Sequence, residues 1–307
     1  MTLMERLYSC MLKSRMIEER ARLLQTAGKL VTPYNVVIGQ EATEIGTTVQ
    51  LCAWDTIAPS RHNLFTFVAS NAPLRDALSP LLSSKRVEFA ATAETPHAPR
   101  VITPLADFAA QLNIATGVAL ANASAPLKQK QAGAVLAFAA DNASPPDVWR
   151  ESLALAGTRR LPLVYVLENT HWSANGTSRR VARKNEALLA LADSAGVPCI
   201  TVDGNDVVAV YRVAHEALHR SRLRRGPTFI NAQTSPWRKS SVTDAARPRT
   251  ADEIEHWQGR DPLAHMEMYM TWYGVWSNDW KKKLVEAFSR EIKEALVELR
   301  GRRAAKH

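Results

Sequence analysis

Cysteine is scarce in this chain of 307 residues: there are three, Cys10, Cys52 and Cys199, at no spacing that suits a pairing or a metal. That excludes a disulfide framework and fits a reducing compartment. No apolar run reaches the length a bilayer span requires, so no membrane association is expected. The first 25 residues contain three acids, Glu5, Glu18 and Glu19, which argues against a transit peptide. The expectation is a cytoplasmic protein. Low-complexity tracts and internal repeats are also missing, which excludes a solenoid or a disordered chain. What remains, 46% hydrophobic and 22% charged, is an ordinary globular composition in a chain long enough to bury a substantial core.

Aromatics interleaved with basic residues are lacking too. The net charge is +9, from clusters at "SRRVARK" (178–184), "HRSRLRR" (219–225), "KKK" (281–283) and "RGRRAAKH" (300–307). These sit on unrelated elements, so a solvated surface or an acidic protein partner is expected. Nucleic-acid binding rests on charge alone, and only a steep salt dependence of DNA binding would revive it.

Glycine is missing where it would be most informative. "VLAFAADNASPPDVWRES" (135–152) reads as a buried strand running into Asp141-Asn142 and then a helix, capped by Ser144 with a proline at its start. A second apolar strand, "LPLVYVLENT", reaches Asn169-Thr170 28 residues after Asp141. Polar clusters at the exits of neighbouring parallel strands are where such proteins hold ligands. A phosphate-binding loop there usually uses glycines, so that backbone N–H groups can approach the anion.

Around these motifs the spacing predicts strands at 133–140, 161–168, 198–203 and 227–233, with helices at 146–157, 185–195 and 206–222. Alternation of this kind, with strands that are continuous apolar runs, predicts an α/β fold with a parallel sheet flanked by helices. Residues 1–70 are expected to form a long helix, stopped at Gly28, followed by loops and a second helix. Residues 70–103 give weak signals. Residues 104–235 are expected to form the parallel core and 250–307 C-terminal helices, all within one domain (1–307). Trp272, Trp276 and Trp280 repeat every four residues and continue into Leu284, Phe288, Ile292, Leu296 and Leu299, which predicts a helical stripe serving as core or subunit interface.

Taken in order, "MLKSRMIEERARLLQTAGKL", "GQEATEIG", "PLADFAAQLNIATGVALA", "VDGNDVVAVYRVAHEAL", "GPTFINAQTSPWR" and "RDPL" resemble the α subunit of the thiamine-diphosphate-dependent 2-oxo acid dehydrogenases, the first, decarboxylating component of those complexes. The resemblance implies a thiamine-diphosphate-binding fold with long N- and C-terminal helices. It also implies a homodimer, or a heterotetramer with a β-like subunit whose pyrimidine-binding domain completes the site.

In that family the first loop reads Gly-Asp-Gly and the second Asn-Asn, and Mg²⁺ held there clamps the cofactor's diphosphate, as a hard cation bound by oxygen ligands does. Here the matching positions are Ala140, Asp141 and Asn142, then Asn169 and Thr170. The resemblance assigns Ala140, Asp141, Asn142 and Asn169 to the cofactor, and Asp141, Thr170 and the Trp172 carbonyl to the metal. Asn142 tolerates a left-handed turn, but its side chain would crowd the diphosphate. Family histidines that bind phosphate and move protons align with Asn35, Asn63 and Ser240. Neutral amides do not transfer protons at physiological pH. Arg61 is kept and His62 stands beside Asn63, so these two are the catalytic candidates. His97 is the sole histidine left in the shortened segment 84–103.

The first expectation is a pseudoenzyme: a family fold kept for a structural or regulatory role, with thiamine diphosphate and Mg²⁺ binding lost or impaired. The alternative is a working α subunit that decarboxylates a 2-oxo acid together with a β subunit.

Overall fold

A computed structural model describes residues 1–30, 38–59, 64–65, 68, 73–82, 98–102, 108–124, 133–140, 146–169, 178–234, 255 and 259–304. Helix α1 (Leu3–Thr26) starts at a capping box: the Thr2 hydroxyl accepts from the Glu5 N–H while the Glu5 carboxylate accepts from the Thr2 N–H. Gly28, at φ +65°, ends it as expected. Then follow α2 (Glu41–Thr48), β1 (Thr56–Ala58), α3 (Leu74–Leu82), β2 (Arg100–Val101) and α4 (Phe108–Ser124). The core alternates: β3 (Val135–Ala140), α5 (Pro146–Thr158), β4 (Leu163–Asn169), α6 (Ser178–Ser194), β5 (Cys199–Asp203), α7 (Val207–Arg222) and β6 (Thr228–Gln233). Helices α8 (Pro262–Trp272) and α9 (Asn278–Ala304) close the chain.

Every strand pairing is parallel, in the order β2-β1-β3-β4-β6-β5. The α/β fold expected from the sequence is the fold found. All strands therefore end at one edge, and the loops leaving that edge are the ones that matter.

Alternate residues of each strand face opposite ways, which gives two apolar layers. Leu136, Phe138, Val164, Val166, Ile230 and Ala232 pack with α1, α2, α3, α7, α8 and α9. Val135, Ala137, Ala139, Leu163, Tyr165, Leu167 and Phe229 pack with α4, α5 and α6. Trp149, Tyr165 and Phe229 meet in that second layer with ring centroids 5.8–5.9 Å apart.

The sequence reading needs three corrections. Strand β1 falls within residues 1–70, read as helices and loops, β2 and helix α3 fall in the weak stretch 70–103, and α6 begins at Ser178, well before 185. The tryptophan stripe is not one helix: α8 ends at Trp272, Gly274 takes φ +69°, and Trp276 lies in the link to α9. Trp276 and Trp280 pack against Tyr8 at 5.0 and 5.6 Å, while Trp272 stays 84% exposed.

Candidate functional site

The candidate segments follow, in the sequence, strands whose carboxyl ends share one edge of the sheet. Strand β1 stops three residues before Arg61, β3 stops immediately before Asp141, β4 ends at Asn169 just before Thr170, and β6 ends seven residues before Ser240. Helix α2 begins six residues after Asn35, and its Thr43 hydroxyl donates 2.8 Å to the carbonyl of Gly204, which follows β5. Parallel pairing thus brings the flanks of five sequence-distant segments to one edge. The register carries β3 and β4 forward to the pair Ala140 and Glu168, so the two strands run side by side to the end of β3.

Asn35, Arg61, His62, Asn63, His97, Asp141, Asn142, Thr170, Trp172 and Ser240 lie outside the described residues. Of the binding candidates, Ala140 is described by its backbone and Asn169 in full. Asn169 is buried, and its carboxamide oxygen accepts from Asn185 at 2.7 Å while its nitrogen donates to Asn231 at 3.0 Å. Asn231 donates onward to the Thr201 hydroxyl at 3.1 Å. The Asn169 carbonyl accepts from the Thr234 N–H at 2.9 Å. A chain of amides thus locks the exit of β4 to β6, β5 and α6. Asn231 carries a signal the sequence reading passed over, a polar residue inside the apolar strand "TFINAQ".

The GQEA segment is mechanical. Arg15 grips Glu41 through both its Nε and Nη2, and also reaches Asp261 at 2.8 and 3.3 Å. Glu41 further accepts from the Gly39 N–H at 3.0 Å. Asp261 caps α8 by accepting from the Leu263 N–H. One guanidinium therefore ties α1 to α2 and to the start of α8.

The DGND segment is a second joint. Asp203 pairs with Arg260 at 2.8 Å, Asn205 donates to the Arg260 carbonyl at 2.7 Å, and Asp206 caps α7 through the N–H groups of Val208 and Ala209. Gly204 is required between them, because a Cβ there would stand 2.6 Å from the Thr43 hydroxyl and 2.9 Å from the Gln233 carbonyl.

Glu44, missed by the sequence reading, is fully buried, and neither carboxyl oxygen has a hydrogen-bond partner among the described residues. Burial, then the nearby charges of Glu168, Glu18 and Glu41, hold its pKa well above the ordinary carboxylate range. Its signal was a charge inside a helix, "EATEIGTT", whose every residue is buried. Among the described residues no group of three or more His, Cys, Asp or Glu is placed to hold a metal, and no helix is long and apolar enough to cross a membrane.

A family model described as Dehydrogenase E1 component matches residues 8–304. The chain is similar to the pyruvate dehydrogenase E1 component subunit alpha of Staphylococcus epidermidis, 30% identical over 299 residues that cover 96% of this chain and 76% of that protein. It is 29% identical, with the same coverage, to the protein of that name from Staphylococcus aureus strain Mu50.

Proposed function

This chain belongs to the dehydrogenase E1 component family, as an α-subunit-like member of the 2-oxo acid dehydrogenases, and from that premise we propose that it is a pseudoenzyme. In this reading it is a cytoplasmic structural or regulatory subunit that keeps the family's joints and has lost or weakened its chemistry. It assembles as a homodimer or with a β-like subunit in a heterotetramer. The observation that carries the reading lies in the sequence. The three positions aligned with proton-handling histidines hold Asn35, Asn63 and Ser240, none of which exchanges a proton near neutrality.

The family's cofactor, thiamine diphosphate with Mg²⁺, needs hard oxygen donors and an open backbone cradle. Asp141 supplies one charged oxygen and Thr170 one neutral hydroxyl. Ala140 and Asn142 put side chains where the family has glycines. The neighbouring Asn169 carboxamide has partners at both ends within the amide chain. This donor set does not fit tight diphosphate binding.

The test is calorimetric titration of the purified chain with Mg²⁺ and thiamine diphosphate, alone and with a co-encoded β-like subunit. No saturable heat in either arm, together with co-elution of the two chains, is the expected result. A second reading, an active α subunit using Arg61, His62 and Asp141, is favoured by the retained Asp141. Micromolar binding abolished by Asp141→Ala, with decarboxylation of a 2-oxo acid, would establish it and overturn the first.

A further inference from the structure

Helix α7 carries His215-Glu216-Ala217-Leu218-His219, the H-E-x-x-H spacing that puts two imidazoles one turn apart on one face of a helix. Both histidines and Glu216 are exposed, whereas Ala217 and Leu218 between them are buried in the core, so the helix is a fixed platform. The two rings lie within 3° of parallel, with centroids 6.4 Å apart, and Tyr211 stacks on His215 at 6.1 Å to continue the column.

A second group orients His215. The Nδ1 atom lies 3.1 Å from Oε1 of Gln50, and the Gln50 amide nitrogen donates to the carbonyls of Gly46 and Tyr211 at 3.3 and 3.2 Å. Those two carbonyls fix which way the amide points, and an amide oxygen only accepts. His215 therefore carries its hydrogen on Nδ1, and when neutral presents a bare Nε2 to solvent. This is the arrangement by which second-shell groups aim histidines at metals. The neighbouring Arg222 is ion-paired to buried Asp55 at 2.5 Å, which offsets its charge.

We propose that His215 and His219 form a surface chelate for a borderline divalent transition-metal ion of the Zn²⁺ class. Each imidazole supplies Nε2 at the usual distance of about 2.0–2.1 Å after a small rotamer adjustment. Water fills the remaining positions, since no third side chain of the metal-binding types is placed beside them among the described residues. Mg²⁺, a hard ion, does not compete for imidazole. Arg212 and Arg220, on the same helix, keep the affinity modest. The site is separate from the sheet's carboxyl edge and does not depend on whether thiamine diphosphate binds.

The experiment is calorimetric titration of the purified, untagged chain with zinc chloride, with magnesium chloride in parallel. One equivalent of saturable Zn²⁺ binding and none of Mg²⁺ is expected. His215→Ala and His219→Ala should each remove it with an unchanged circular dichroism spectrum. Gln50→Leu should weaken it by about tenfold or more, as loss of an orienting partner does. Absence of saturable Zn²⁺ binding overturns the proposal. So does undiminished binding in the double alanine variant, which would move the site to other side chains such as the exposed Cys199.

Discussion

Glu44 is the residue most out of keeping with its surroundings. A carboxyl group enclosed on every side is disfavoured as an anion, and the acids Glu168, Glu18 and Glu41 reinforce that from β4, α1 and α2. The apolar Val210 faces the same helix from α7. The direction of the pH effect follows. Below the ordinary carboxylate range both folded and unfolded chains are protonated at this position. As pH rises past it, the unfolded chain releases the proton first, so stability falls until the raised folded value is reached. Replacing Glu44 by Gln removes the titration while keeping the shape. Glu44→Gln is expected to raise stability near neutral pH by about 1–3 kcal/mol. The gain should shrink toward zero near pH 4, as read from thermal melts across pH. A Gln variant less stable than the parent at pH 8 would mean that an unseen cation partners the carboxylate.

Arg15 acts at the scale of elements, because three helices meet on one side chain. A fork–fork grip is both stronger and more directional than a point charge. Arg15→Ala leaves Glu41 buried without its cation, and breaking a buried pair this way costs about 3–5 kcal/mol. The expected result is a sharply lowered denaturant midpoint, with Arg15→Lys recovering only part of it. Elements differ in how legible they were. The core strands and helices show in the sequence because each one's apolar pattern is long enough to repeat. Strands β1 and β2 span three and two residues and owe their existence to pairing with β3 and with each other, a non-local cause that no short window contains. Tryptophans four apart imitate a helix across the Gly274 turn, because spacing alone is blind to a residue at positive φ. At the site, the order of motifs pointed to segments that follow strands ending at one edge of the sheet. Asn169's amide partners and Arg15's second carboxylate, by contrast, are contacts between distant segments and left no local trace.

At the scale of the molecule, the six-stranded sheet joins the two apolar layers found among the described residues, so neither layer has a core without it. Trp149 reports on the layer beneath α4–α6 and Trp280 on the layer with α1. Variants keeping only one of these tryptophans are expected to melt at coincident midpoints. Separated midpoints would mean that the chain folds as two units instead of the one domain expected from its sequence.

The joints built on Arg15, Glu41, Asp203, Asn205 and Asp261 are also the segments by which the chain resembles its relatives. None of these joints uses a residue assigned to the chemistry, so the fold they hold does not depend on the catalytic groups. By the same logic the chassis is ready for refitting. In the pseudoenzyme reading, histidines at Asn35, Asn63 and Ser240, with glycines at Asn142 and at Ala140, the last residue of β3, would return the residue types the family carries there to a fold whose joints need no change.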